Sequence, residues 1–250
     1  DTGWVGNFMG KVHHTPFSRI KSLFADITAD DARARGYIKG KQKVNEVFTL
    51  LKRTTDPQTV YKKQKIDRDD VIDITDFDVV AWLKNEMRGM LNEEIARAAL
   101  VGDGRLSSSD DHISEDHIRP IWKDEDLFTI KTVVETGADD NETATNFIRA
   151  AIRARKDYKG TGNPILYTTE DWLTNMLLIT DTTGRDIYDS VDKLKTKLRV
   201  ADIVTVPVME GLTRSVTVNS TAYTNTLAGI IVNPVDYNIG ADKGGAVSLF

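Results

Sequence analysis

The amino-acid sequence predicts an α+β protein in which a basic hairpin and one long helix precede a compact half that mixes helices and strands. The helix is indicated by apolar residues that recur every three or four positions from Asp76 to Val101. The hairpin is indicated by residues 33–68, which carry eleven Lys and Arg against three acids and few apolar residues spaced to form a core. Residues 126–232 then alternate short apolar runs with amphipathic stretches. The 250 residues suffice for one large or two small cores.

The composition limits the chemistry of the protein and shows how its charge is distributed. The chain contains no Cys, which excludes a disulfide framework, a thiolate metal site and a cysteine nucleophile. It has no apolar run of about 18 residues, so we expect no membrane partner. The net charge is −5, but residues 33–68 sum to +8, so the remainder carries −13. This segregation fits either a solvated surface or a basic arm that docks on the acidic surface of another subunit.

The first third of the chain predicts an arm followed by a long hairpin. Residues 1–16 mix glycines, a proline and scattered aromatics without a helical or strand period, which predicts an arm rather than a regular element. Residues 17–24 alternate weakly, residues 54–57 form a turn signal, and residues 59–66 alternate as an exposed strand would. Because this hairpin lacks a core, we expect its basic side chains to contact a neighbouring subunit: Arg33, Arg35, Lys39, Lys41, Lys43, Lys52, Arg53, Lys62, Lys63 and Lys65.

Acidic blocks at residues 67–78, 110–116 and 124–126 offer the opposite charge. The hairpin aromatics Tyr37, Phe48 and Tyr61 would also allow contact with nucleic acid, but they are far apart and the chain as a whole is acidic. Contact between subunits is therefore the preferred interpretation. The candidate acidic contacts are Asp69, Asp70, Asp110, Asp111, Glu115 and Asp116.

The long helix carries signals at both of its ends. Thr75 followed by Asp78 fits the capping pattern in which a hydroxyl and an acid stabilise a helix N-terminus. Gly102 and Gly104 supply a left-handed C-cap. The 26 residues span about 39 Å at 1.5 Å per residue, roughly twice the length of an average helix. The predicted apolar stripe comprises Val79, Val80, Leu83, Met87, Met90, Leu91, Ile95 and Ala98.

The second half predicts helices and short strands in a compact unit. Apolar runs predict strands at residues 126–134, 165–167, 203–208 and 227–232. Helical periods predict helices at residues 141–156, from a Thr168 or Thr169 cap to 179, and at 187–198, with a turn at 181–184.

No group of residues meets the requirements of a catalytic site. His112 and His117 lie among acids, but a spacing of five places them on different helix faces and local geometry fixes no third ligand. The acids at 67–78 lack the Gly and Glu of a calcium loop, and residues 102–105 follow a helix, whereas phosphate loops precede one. No Gly-x-Ser-x-Gly elbow exists. We predict no enzyme activity, cofactor, metal ligand or catalytic residue, and the alternative from another class is a metal-dependent hydrolase centred on His112 and His117.

Three stretches of the sequence have a likeness to one known family. They are residues 50–59 running into 67–70, residues 94–105 at the end of the long helix, and residues 231–237. Through these stretches and the order of its parts, the chain resembles the major capsid proteins of tailed phages with the Hong Kong 97 fold. The resemblance implies an N-terminal arm at 1–16, an E-loop at 17–60, a P domain at 61–158 with its spine helix at 76–101, and an A domain at 159–242. Residues 243–250 would begin a return to the P domain that is cut short.

The resemblance also implies a function and a set of partners. Hexamers and pentamers of such a protein form the icosahedral head of a phage or prophage. The head encloses double-stranded DNA without recognising its sequence. The implied partners are copies of the chain, a portal protein, and scaffolding or protease proteins. The implied location is the virion, assembled in the host cytoplasm. Encapsulin nanocompartment shells share this fold and are the nearest alternative, and we do not predict covalent crosslinking between subunits.

Overall fold

The computed structural model describes residues 2–16, 21–26, 36, 39–40, 42, 49–54, 56–63, 79–218 and 220–241. It confirms a mixed helix and sheet fold. The described residues form these α-helices: α1 Gly3–Met9, α2 Val79–Leu100, α3 Asp140–Ala154, α4 Glu170–Leu177 and α5 Val191–Leu198. They form these strands: β1 His13–Thr15, β2 Lys21–Asp26, β3 Thr49–Thr54, β4 Ile165–Thr168, β5 Asp202–Thr205, β6 Thr213–Val218, β7 Thr221–Thr226, β8 Gly229–Val232 and β9 Asn238–Gly240.

Strand β4 is the centre of a three-stranded sheet in the order β5-β4-β8. It pairs in parallel with β5 and antiparallel with β8, and all four of its residues are buried. Because side chains alternate along a strand, Ile165 and Tyr167 pack in one apolar cluster while Leu166 packs in another. The predicted strand at 165–167 is confirmed, and it separates the two cores of the protein.

The first core joins α1 and the end of α2 to the sheet. Phe8 is fully buried, with its ring edge-on to Tyr167 at a centroid distance of 5.8 Å. Trp4 and Leu100 belong to the same cluster. The prediction that residues 1–16 lack a regular element was wrong. A helix of seven residues is too short to show a period in the sequence, and it is stabilised by burial against distant parts of the chain.

The second core lies between the sheet and three helices. Phe147 of α3, Met176 of α4 and Leu194 of α5 are buried there with Leu166. The helices predicted after residue 141 and after Thr169 are confirmed, and the Thr169 hydroxyl accepts a hydrogen bond from the Trp172 N–H at 3.3 Å. The helix predicted from Ile187 begins instead at Val191, because the Ser190 hydroxyl caps it.

Helix α2 ends as predicted but packs differently. Gly102 has φ +98°, and its N–H donates to the Arg97 carbonyl at 3.0 Å, which confirms the glycine C-cap. The predicted start at Thr75 lies outside the described residues. The predicted apolar stripe does not form a continuous core face, because Leu83 and Met87 are only half-buried and full burial begins at Ala96. Residues 81–93 of α2 therefore lie at the surface of the described part of the chain.

Two predicted strands are absent from the described residues, and one hairpin was missed. Residues 126–137 form no strand, and Leu127, Ile130 and Val133 are exposed, because no described segment offers them a ladder partner. Residues 59–63 likewise lie outside any ladder, so the strand predicted at 59–66 was wrong over that range. The β6–β7 hairpin was missed because its Thr-rich strands lack an apolar face. Within the described residues, no helix combines the length and apolarity that crossing a bilayer requires.

The strands β1 and β9 tie the two ends of the described chain together. They pair in parallel, with His13 opposite Asn238 and Thr15 opposite Gly240. The Thr15 hydroxyl donates to the Asn238 side-chain carbonyl at 2.6 Å. The N-terminal segment is thus fixed to the body through both its helix and its strand.

We expect Phe8→Ala to lower the free energy of unfolding by about 3–5 kcal/mol, because it removes a fully buried ring from the first core. Urea unfolding of the unassembled subunit measures the change. Leu178→Ala is the matched control, since Leu178 is 62% exposed and its loss should change stability by less than about 0.5 kcal/mol. Equal effects of the two substitutions would contradict the docking of α1.

Candidate assembly interface

The strands β2 and β3 form a two-stranded antiparallel ribbon, so a hairpin is present, but its second strand is Thr49–Thr54 and not the predicted 59–66. Ser22 pairs with Arg53 and Leu23 pairs with Lys52. Because successive residues face opposite sides of a ribbon, Leu23 and Lys52 share one face and Arg53 points to the other. Leu23 is 68% exposed and Lys52 is exposed. This face is therefore not covered by any described residue.

Arg53 fixes the opposite face of the ribbon to the body. Its guanidinium forms an ion pair with the Asp124 carboxylate and lies 4.1 Å above the centroid of the Phe128 ring. The two charged side chains are 19% and 15% exposed, so solvent screens the pair only partly. Stacking on a ring and pairing with a carboxylate both suit the planar guanidinium. Arg53 thus has its partners within its own chain.

Residues 56–63 continue from the ribbon along the acidic loop. The Gln58 amide donates to the His112 carbonyl at 3.2 Å and accepts from the Ser114 N–H at 3.0 Å. His117 Nδ1 lies 2.8 Å from the Asp56 carbonyl oxygen, which fits the tautomer that donates from Nδ1. The segment is therefore hydrogen-bonded to residues 112–117 at its start, while Tyr61 near its end is 76% exposed.

Asp103 organises the loop that follows α2. Its carboxylate is buried and accepts from the Ile113 N–H at 2.7 Å and from the Arg105 N–H at 3.1 Å, and His112 Nδ1 lies 3.0 Å away. Burial alone would raise the pKa of Asp103, but these two N–H donors and the nearby His112 and Arg105 lower it overall. Residues 103–113 are thus closed into a loop around one carboxylate.

The basic residues predicted at the interface have different surroundings. Lys39, Lys52, Lys62 and Lys63 are exposed. The Lys62 ammonium lies 2.7 Å from the Met90 sulfur, which places that lysine against α2. The predicted basic residues outside the described part of the chain are Arg33, Arg35, Lys41, Lys43 and Lys65.

The acidic candidates are also divided. Asp110, Asp111 and Asp116 are exposed, and none of them forms a side-chain ion pair with a described residue. Glu115 instead pairs with Lys123 at 2.5 Å within its own chain. Asp69 and Asp70 lie outside the described residues.

The candidate metal ligands are not brought together. His112 faces Asp103 while His117 faces the backbone of Asp56. Among the residues that the structure describes, no group of three His, Cys, Asp or Glu side chains has the geometry of a metal site. His13 and His14 are exposed in β1, as expected for surface residues.

Two functional contacts were missed from the sequence. The Arg53 and Asp124 pair joins residues 71 positions apart within one chain, whereas the sequence predicted that Arg53 contacts a neighbouring subunit and placed Asp124 only in an acidic block. Asp103 was considered only as part of a weak phosphate-loop pattern. The position of Asp103 directly after the C-cap glycine of a helix is a useful signal, because an acid there can accept hydrogen bonds from N–H groups of the following loop.

A comparison with solved structures shows a likeness to a phage chain. No family model matches the sequence, and no curated protein matches it. A solved chain of Mycobacterium phage Cain superposes with a TM-score of 0.52 at 11% sequence identity. The match covers 94% of this chain and 69% of that chain. This protein therefore shares its overall fold with a phage protein.

We expect Asp103→Asn to lower the free energy of unfolding by about 1–3 kcal/mol at pH 7, because it removes a buried charge that accepts two N–H groups. The lowered pKa of Asp103 means that its stabilisation is complete above the unfolded pKa of about 3.9 and is lost as the pH falls through the folded value. Urea unfolding from pH 7 to pH 3 should therefore show the difference from wild type shrinking below about pH 4.

Asp116→Asn is the control for this series, since the Asp116 side chain is exposed in the same loop. It should change stability by less than about 0.5 kcal/mol at every pH. A difference for Asp103→Asn that does not depend on pH would show that the charge of Asp103 does not stabilise the loop.

Proposed function

We propose that this chain is the major capsid protein of a tailed phage or prophage with the Hong Kong 97 fold. In this proposal, copies assemble through hexamers and pentamers into an icosahedral head that encloses double-stranded DNA. The observation that carries the proposal is the β2–β3 ribbon, which is anchored at Arg53 yet leaves its Leu23 and Lys52 face uncovered. The overall fold shared with a phage protein supports it.

The ribbon needs a surface outside its own chain. A two-stranded ribbon alone is at best marginally stable in water, and further strands or a layer packed against one face normally stabilise it. The base is fixed by the Arg53 and Asp124 pair, but the other face carries a leucine that is 68% exposed. A neighbouring copy that covers this face would supply the missing layer. In the family, this is the role of the E-loop.

Helix α2 presents a second uncovered surface. Within the described part of the chain, the side chains of residues 81–95 are exposed or half-buried. A long helix with little core contact is unusual for a protein that acts alone, because helices in proteins are stabilised mainly by the packing of one face. In a shell, the spine helix and the ribbon would be covered by neighbouring subunits.

Charge would direct the contacts without providing most of their free energy. Lys52, Lys62 and Lys63 give the ribbon region an exposed positive surface, while Asp110 and Asp111 give the loop after α2 a negative one. Complementary surfaces of this kind speed association and select the arrangement of partners. No bond is made or broken in this function, so it requires neither a cofactor nor a catalytic residue.

The remaining partners follow from the proposed role. A portal protein, scaffolding or protease proteins and the packaged DNA are those of the family, and the protein would be found in the virion after assembly in the host cytoplasm. Contact with DNA would be independent of sequence, since it would involve only the phosphate backbone. A chain with a net charge of −5 does not favour tight DNA binding over its whole surface, which suits an enclosing wall.

We expect the full-length protein expressed alone to form closed shells that electron microscopy can detect. Lys62→Glu combined with Lys63→Glu should prevent or strongly reduce shell formation, because two reversed charges would face the surface of the neighbouring copy that the exposed segment after the ribbon contacts. Circular dichroism should show unchanged helical content, since both lysines are exposed. Sedimentation and microscopy measure the yield of shells.

The matched control is Lys156→Glu combined with Lys159→Glu, which makes the same change in net charge at two other exposed lysines. This control should assemble as wild type does. A full-length wild-type protein that stays monomeric at high concentration would refute the proposed function. Normal shells from the Lys62 and Lys63 variant would refute a role of residues 56–63 in assembly.

A further inference from the structure

An apolar depression with a positive rim lies between α3, α5 and the segment 179–188. Its floor is formed by Ile148, Ile152, Ile179, Ile187 and Tyr188, and its volume is about 390 Å³. Ile187 is 49% exposed there, although the isoleucines beneath it belong to the second core. The depression is therefore an opening in the surface through which the second core can be reached.

Three cations surround this floor, namely Arg149, Arg153 and Lys197. No acidic side chain lines the depression, and none of the three cations forms an ion pair with a described residue. The surface thus combines apolar area with uncompensated positive charge. Its best partner is an apolar side chain flanked by carboxylates.

The same chain carries a segment of that chemistry on the loop that follows α2. Leu106 is 78% exposed at the start of a turn in which the Ser109 N–H donates to the Leu106 carbonyl at 2.9 Å. The exposed acids Asp110 and Asp111 follow directly. Asp103 closes the base of this loop, so the turn is held in shape before any partner binds. Such preorganisation lowers the entropy that binding costs.

We propose that the turn at residues 106–111 of one copy docks in the depression of a neighbouring copy. Leu106 contacts the isoleucine floor, and Asp110 and Asp111 face Arg149 and Arg153. The inference rests on the proposed function, because it needs a neighbour. Within one chain, the loop is anchored beside the first core while the depression opens on the second.

This contact is heterologous, since each copy offers the turn to one neighbour and the depression to another. Heterologous contacts close into a ring when a whole number of copies, each rotated by the same angle, completes 360°. The contact would therefore run around a capsomer. It would also give Asp110 and Asp111 a partner on α3 and not on the basic ribbon.

A charge exchange tests the pairing. The test uses two double variants, Arg149→Glu with Arg153→Glu and Asp110→Arg with Asp111→Arg. Each should raise the protein concentration needed for shell formation at least about tenfold, which corresponds to about 1.4 kcal/mol. The variant that carries all four substitutions should restore assembly, because opposite charges face each other again. Assembly that is unaffected by either pair, or not restored by the combination, overturns the proposal. The Lys156 and Lys159 control remains unaffected in each case.

Crosslinking gives a second test that uses the absence of native Cys. In shells of Leu106→Cys with Ile187→Cys, a short bismaleimide should link many chains into a ladder, because each copy is joined to two neighbours. Leu106→Cys with Tyr223→Cys should give no ladder. If the Leu106→Cys with Ile187→Cys variant forms normal shells but gives no ladder, this inference is overturned and the proposed function still stands. Crosslinked dimers of the single variant Leu106→Cys also overturn the inference, because such a crosslink requires the 106–111 turns of two copies to lie side by side.

Discussion

The fold depends on the alternation of side chains along β4. Three of its four buried residues contribute to the apolar clusters, Ile165 and Tyr167 to one and Leu166 to the other, so the two cores are built on a single strand. The strand is held from both sides by β5 and β8, and its hydroxyl residue Thr168 donates to the Ala228 carbonyl at 2.7 Å. Helix α1 closes one core and helices α3 to α5 close the other. A disturbance of β4 would reach every one of these elements.

The surfaces that lie away from these cores are held by polar contacts instead of apolar burial. Arg53 fixes the ribbon through Asp124 and Phe128, and Asp103 fixes the loop after α2 through backbone N–H groups. Both anchors are buried or nearly so, whereas the residues they support are exposed. The described part of the chain thus presents shaped surfaces that none of its own residues cover. A surface that is rigid before binding is the arrangement that favours regular assembly.

The sequence predicted the elements whose signals are local. The helical periods at α3 and α4, the Thr169 cap and the Gly102 C-cap each depend on residues within a few positions, and the structure has all of them. The contacts that depend on distant residues could not be predicted. Helix α1 forms because Phe8 meets Tyr167, and β1 forms because Asn238 lies beside His13. The anchors Arg53 and Asp103 carry no local signal that separates them from surface charges, and the ribbon was expected from its charge alone.

The β6–β7 hairpin has a consequence for how this protein can vary. Its ends are joined where the Leu227 N–H donates to the Leu212 carbonyl at 2.8 Å, and its strands pair chiefly with each other. Ser220 near the tip has φ +66° and is exposed, and it belongs to neither apolar cluster. Each doubling of a loop's length costs only about 0.6 kcal/mol of closure entropy. Related lineages can therefore lengthen this tip, and engineers can insert foreign peptides there for display, with little penalty to folding.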